Sequence, residues 1–322
     1  MRNEAVKPVA RTTGGSLLER AAEVYDFGQA MRAKRPVPAP APEPLDLVEP
    51  MFEPESAFAA PHLPPAGAFA PHLPVAGAPA QIDRLMLAQK GMIVPGAPIG
   101  PLAEEFRLVK RQLLVTRERL LAAGDETRAR TVLVCSARPG DGKTFCAINL
   151  ALSMAAERDT EVLLVDADFA KPDILRQLGL DDGPGLLDAL ADDSLDPETL
   201  VVATDVPHLS VLPAGTLSSS DTELLASART RAVLARLLAA NPRRVVLFDS
   251  PPALAASPAS VLAMLVGQVM MVVRADRTPE SELAQAVGLL DACEHIALVL
   301  NAVSFVPGGA RFGSYYGQED RP

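Results

Sequence analysis

What the chain lacks narrows the reading first. It has three cysteines (Cys135, Cys146 and Cys293), an odd number with no CxxC spacing. A disulfide framework and a cysteine zinc site are therefore excluded, and a reducing cytosol fits. Two of its four histidines, His62 and His72, sit in a low-complexity stretch without a carboxylate or cysteine cluster, so no metal site is expected there. No apolar run reaches the roughly 18 to 20 residues that span a bilayer. The longest, Val261 to Val273, is interrupted by Gly267 and Gln268 and reads as a helix end followed by a buried strand. The opening MRNEAVKPVARTTGG has no apolar run behind its basic residues, so no secretory signal is expected. Positive charge is also short: 30 basic against 40 acidic residues give a net of −10. Such a chain has no general attraction to phosphate backbones, which argues against nucleic acid as a partner. A soluble protein is expected, one that meets a membrane only through a partner.

The 30 prolines of the 322 residues are unevenly spread, with thirteen between Pro36 and Pro79 and thirteen from Pro139 to the end. This divides the chain. Residues 1–35 carry a short amphipathic helix over 16–34, with Ser16 and Glu19 as a capping box. It is either an isolated docking helix or a recruitment helix. Residues 36–80 form a Pro/Ala linker that cannot bury enough surface to fold. Within it APHLPPAGA and APHLPVAGA repeat at a ten-residue period, too few copies for a solenoid. Residues 81–306 read as one domain, and 307–322 as a flexible Gly/Tyr tail. In the domain, a helical pattern from Leu102 has Phe106, Val109, Leu113, Leu120 and Leu121 on its apolar side. Apolar, β-branched runs then follow at 131–135, 161–165, 209–212, 244–248, 269–273 and 296–300, most of them separated by helical patterns. Near-continuous apolar strands alternating with helices predict an α/β fold, a mostly parallel sheet covered on both faces.

The chemistry concentrates where three of these strands end. TVLVCSARPGDGKTFCAINLA is a strand, a glycine-containing loop and a helix opened by Gly142-Lys143-Thr144, which is a phosphate-binding loop in its required context. Pro139, Gly140, Asp141, Gly142, Lys143, Thr144 and Phe145 would cradle a nucleotide, the loop N–H groups and helix N-terminus facing the phosphates. Lys143 would reach the β- and γ-phosphates of ATP and Thr144 would bind Mg²⁺. The first glycine of the usual GxxxxGK[ST] is Ala137 here. VLLVDADFAKP places Asp166 and Asp168 past a second strand, and VVLFDSPP places Asp249 past a third. Carboxylates at such ends can hold Mg²⁺, for which Thr144, Asp166 and Asp249 are the candidate ligands. They can also accept a proton from a nucleophile, which adds Asp168 to Lys143, Asp166 and Asp249 as candidate catalytic residues.

Together these segments resemble the bacterial tyrosine kinases of capsule and exopolysaccharide synthesis, over about residues 81–317. The loop Ser136–Thr144 matches that family's SxxPGxGKT form, Leu163–Asp168 its hhhDxD motif, and Val245–Pro252 its Walker B segment. KGMIVP, EEFRLVKR, DSPPAL and the YYG tail are most similar to the exosortase (XrtA)-associated autokinases. The resemblance implies a P-loop NTPase fold and ATP-dependent tyrosine autophosphorylation that regulates polysaccharide polymerisation or export. It implies that Asn301 lies near the adenine. Glu104, Arg107 and Lys110, matching ExxRxxR with lysine in the last place, would form a subunit interface in a ring. Tyr315 and Tyr316, two of only three tyrosines, would accept phosphate from a neighbouring subunit. A membrane chain-length-determinant protein would be the activator, holding the kinase at the inner face of the plasma membrane. Two departures stand out: Lys171 replaces the arginine of the usual DxDLR in a shifted place, and the tail has two tyrosines only. A positioning ATPase of the MinD/ParA type is the alternative, although it would carry lysine where this chain has Arg138. A nucleotide-binding scaffold without catalysis is another.

Overall fold

The computed structural model describes residues 78–216 and 221–303. The helix read over 16–34, the linker repeats, and Tyr315 and Tyr316 lie outside the described residues. Seven strands form one sheet: β1 (Thr131–Ser136), β2 (Glu161–Asp166), β3 (Val202–Ala203), β4 (Leu209–Leu212), β5 (Arg244–Asp249), β6 (Gln268–Arg274) and β7 (Ile296–Asn301). Their order is β3-β4-β2-β5-β1-β6-β7, parallel except for the β3–β4 pair. The six apolar runs of the sequence are six of these strands. The two-residue β3 is too short to leave a periodic signal.

The helices among the described residues are α1 (Arg84–Gln89), α2 (Pro101–Ala122), α3 (Glu126–Ala129), α4 (Lys143–Ala155), α5 (Ile174–Leu178), α6 (Leu186–Ala191), α7 (Asp221–Ala226), α8 (Ala228–Ala240), α9 (Pro258–Ala263) and α10 (Glu280–Leu289). Strand side chains alternate between faces, so each central strand feeds two cores. Leu133, Leu163, Val246 and Met271 point into one core with α6, α8, α9 and α10. Val132, Leu164, Leu247 and Met270 point into the other, with α1, α2, α4 and α5. Helix α4 lies so deep that every residue from Cys146 to Ala155 is buried. Its one amide, Asn149, is fully buried and satisfied: it accepts from the Ile93 N–H at 2.7 Å and donates to the Phe145 carbonyl at 2.8 Å. The rigid body behind the phosphate loop is thus built from interior packing.

Helix α2 buries Phe106 and Leu113 as the pattern predicted, but Leu121, placed on its apolar side, is 41% exposed. The larger departure is Lys110. Read as a charge offered to a neighbouring subunit, it is 7% exposed. Its Nζ donates to the Ser153 carbonyl at 3.0 Å and pairs with Glu157 at 2.6 Å. Helical spacing puts Lys110 with Phe106 and Leu113 on the face toward α4, so its stem packs and its head finds partners inside the same chain. Arg107, one turn earlier and exposed, pairs with Glu104 at 2.6 Å. Lys110→Ala should therefore lower the unfolding free energy by about 1–3 kcal/mol, the range for a buried partner left unsatisfied. Arg107→Ala should cost no more than about 0.5 kcal/mol, as for an exposed helical ion pair. Urea denaturation of the two variants checks this, and equal losses would contradict the placement of Lys110.

Candidate active site

Parallel register delivers the site. Asp166 at the end of β2 lies opposite Asp249 at the end of β5, and Asp249 lies opposite Val134 of β1. From there β1 continues for two residues and turns into the loop of residues 137–142, which ends at α4. The loop needs two left-handed residues and has glycine at both: Gly140 (φ 82°) and Gly142 (φ 94°). A Cβ on Gly142 would also meet the Asn301 amide at 2.1 Å. Ala137, standing where the usual motif has its first glycine, is fully buried and is not among the residues with positive φ, so a methyl group fits there without strain.

Lys143 is the centre of charge. Its Nζ lies 2.6 Å from Asp168 Oδ2. Asp166, Asp168 and Asp249 are 2%, 4% and 1% exposed, so the three carboxylates surround the lysine in an interior setting. Burial alone would lower the lysine, but the charges of Asp249, Asp168 and Asp166 outweigh it and its pKa is raised. Burial pushes Asp249 up to about 7, against the opposing pull of Lys143 and a hydrogen bond from Thr144. Burial likewise pushes Asp166 up to about 6, opposed by backbone N–H donors. Those donors define Asp166: Oδ2 accepts from Asp173 and Ile174 at 3.0 Å each, and Oδ1 from Asp168 at 3.2 Å. It thereby fastens the start of α5 and turns the DxD segment so that Asp168 faces the lysine.

Asp249 Oδ1 is buried with no hydrogen-bond partner. An orphaned carboxylate oxygen beside the Thr144 hydroxyl fits a hard cation shared with phosphate oxygens, because Mg²⁺ takes one or two protein oxygens and fills its shell with phosphate and water. Among the described residues no group of three or more histidine, cysteine, aspartate or glutamate side chains is placed to hold a metal ion. Asp166 also fits the edge of such a site, but its oxygens already hold three N–H groups.

Asn301 lies against the loop, its amide donating to the Asp141 carbonyl at 2.8 Å. Two residues absent from the sequence reading share that task. Arg274 donates to the Gly140 carbonyl at 2.9 Å, and the Thr278 hydroxyl bonds Asp141 Oδ1 at 3.2 Å. Their only sequence signal is position: RADRT directly follows the apolar run of β6. Lys171 is exposed and contributes its backbone N–H to Asp168. Beside Asp166 a cleft of about 500 Å³ opens between the segments after β2 and β4, lined by Pro172, Asp173, Arg176, Pro213 and Gly215 among others.

Residues 129–286 match the family described as AAA domain. The chain is 29% identical over 234 residues to tyrosine-protein kinase YwqD of Bacillus subtilis, spanning 72% of this chain and 93% of that protein. It is 33% identical over 216 residues to the putative tyrosine-protein kinase EpsB of Ralstonia nicotianae, covering 64% of this chain but only 28% of that protein. The crystal structure of the VpsO kinase domain superposes with a TM-score of 0.50 at 32% identity, covering 61% of this chain and 97% of that one. The chain belongs to the bacterial tyrosine kinase family. Membership explains why a parallel sheet carries both a glycine loop and the DxD segment at one edge.

The raised Asp249 has a measurable consequence in the nucleotide-free protein. A carboxyl whose folded pKa is raised contributes stability that is complete below its ordinary value, about 4, and is lost as pH rises through about 7. Asp249→Asn removes that loss. The melting temperature of the variant should gain on wild type from about pH 4 to about pH 7 and level off above that. A difference that stays constant or shrinks between those values would show that Asp249 is not a strained interior anion.

Proposed function

We propose that this chain is an ATP-dependent protein-tyrosine autokinase that transfers the γ-phosphate to Tyr315 and Tyr316 of a neighbouring copy. The observation that carries the reading is Lys143 paired with Asp168 among three buried strand-end carboxylates, one of which, Asp166, also lines a cleft. A site for hydrolysis alone needs only water at the γ-phosphate, whereas the cleft gives a phenol a way in. The relatives named as tyrosine kinases support the same reading.

The loop N–H groups and the N-terminus of α4 bind the phosphates, where aligned backbone dipoles favour negative charge. Lys143 leaves Asp168 for the β- and γ-phosphate oxygens and balances the charge that moves onto them. Thr144 and Asp249 would hold Mg²⁺, which supplies further charge neutralisation. Asp166, with a pKa raised to about 6 and a place in the lining of the cleft, takes the phenolic proton as the tyrosine oxygen attacks phosphorus and the bond to ADP breaks. Asn301, next to Gly142, would stand near the adenine. Glu104 and Arg107, on the exposed side of α2, would meet a neighbouring subunit in a ring, with Lys110 serving as their internal anchor.

The role would be regulation of exopolysaccharide polymerisation or export, with a membrane chain-length-determinant protein as activator. No helix among the described residues is long and apolar enough to cross a membrane, in keeping with attachment through such a partner. Placement among the exosortase-associated members rests on KGMIVP, EEFRLVKR, DSPPAL and YYG.

Transfer in trans is tested by mixing Lys143→Ala protein bearing an intact tail with active protein truncated before Gly313. Phosphotyrosine should appear on the inactive chain, and its absence would overturn the proposal. Asp166→Asn should slow autophosphorylation by about 100-fold or more, the usual contribution of a general base. Normal activity in both the Lys143→Ala and Asp166→Asn proteins would remove this site from the reaction.

A further inference from the structure

We propose that Thr278, in the turn just before α10, and Glu282, in the first turn of α10, are positioning residues for the phosphate-binding loop, acting through Asp141 and Arg138. The inference rests on the nucleotide-binding reading above and concerns how the loop is kept able to receive phosphate. It begins with an electrostatic problem. Asp141 is a carboxylate within the loop itself, and a free carboxylate there would repel the anion that the loop exists to bind.

Asp141 is nevertheless 3% exposed, while Arg138, Pro139 and Gly140 beside it are exposed. Two donors hold it inward. Its Oδ2 accepts the Arg138 N–H at 3.0 Å, and its Oδ1 accepts the Thr278 hydroxyl at 3.2 Å. The hydroxyl itself accepts the Arg274 N–H at 3.2 Å, which leaves its proton for Asp141. The turn that carries Thr278 is fixed in its own right, with the Thr278 N–H on the Arg274 carbonyl and the Ala275 N–H on the Asn301 carbonyl, both at 3.0 Å. From the first turn of α10, Glu282 binds the Arg138 guanidinium at 3.1 Å. The turn before α10 and the first turn of α10 thus grip the loop at its two charged residues.

The Gly140 and Asp141 carbonyls are held by Arg274 and Asn301, and the Asp141 carboxylate by Thr278. With these acceptors bound, the loop's N–H groups are left for the ligand. Replacing Thr278 with valine keeps the shape and removes one donor. Asp141 is then freer to turn outward, adding negative charge where phosphates bind. The penalty should grow with the number of phosphates, so ATP should suffer more than ADP.

Fluorescent-nucleotide titration of the full chain tests this. Thr278→Val should weaken Mg·ATP-analogue binding about tenfold, the size of one such hydrogen bond, with a smaller loss for ADP. Thr278→Ser should bind as wild type does. Asp141→Asn combined with Thr278→Val should recover most of the loss, since the repelling charge is gone. Glu282→Gln should weaken binding about threefold at low ionic strength and not at about 0.5 M salt, as for an exposed ion pair. In turnover, Thr278→Val should raise KM with kcat nearly unchanged. Wild-type affinity in Thr278→Val, or equal loss in the valine and serine variants, would overturn the proposal while leaving the kinase reading intact. Failure of wild type to bind any nucleotide would overturn both.

Discussion

The site depends on placing one ammonium and three carboxylates inside a protein edge where almost no water reaches them. An isolated buried charge is very costly, and a lysine with three acids around it is tolerable only because each charge offsets another. Lys143 is the common partner, so Asp168, Asp166 and Asp249 all depend on it to different degrees. The arrangement remains over-supplied with negative charge. Burial raises Asp249 to about 7 and Asp166 to about 6, the neighbouring carboxylates add to the shift, and Asp249 keeps an oxygen without a partner. A divalent cation at the bare Asp249 oxygen would offset that surplus, in keeping with the Mg²⁺ site proposed above.

Rigidity behind this edge comes from apolar burial. Helix α4 starts at Lys143 and is buried along nearly its whole length, so the lysine is anchored at the end of an immobile rod. The Lys110–Ser153 hydrogen bond pins the far end of the rod to α2. Asn301 fits against Gly142, where an added Cβ would meet its amide and the left-handed backbone favours glycine.

The phosphate loop, the DxD segment and the third aspartate could all be read from the sequence, because each follows a short, strongly apolar strand and so must lie at a sheet edge. The six parallel-type strands were legible for the same reason: burial on both faces leaves nearly continuous apolar runs. Asp141 could be read as part of the loop, but its inward orientation could not. Which donors would meet it depends on β6 pairing with β1, a long-range pairing that no local pattern encodes.

Lys110 shows the boundary from the other side. Its match to the ExxRxxR pattern implied a place in a subunit interface. Only packing decided that its stem would run toward α4 and its head would bind Ser153 and Glu157. The sequence by itself determined the alternating strands and helices, the glycine loop, the acidic strand ends and the proline-rich segment, because these follow from periodicity and backbone sterics. The tertiary structure decided which carboxylate faces the lysine, which holds α5, and which keeps a bare oxygen. Those outcomes depend on register and on the few available N–H donors, and both are set between segments far apart in the chain.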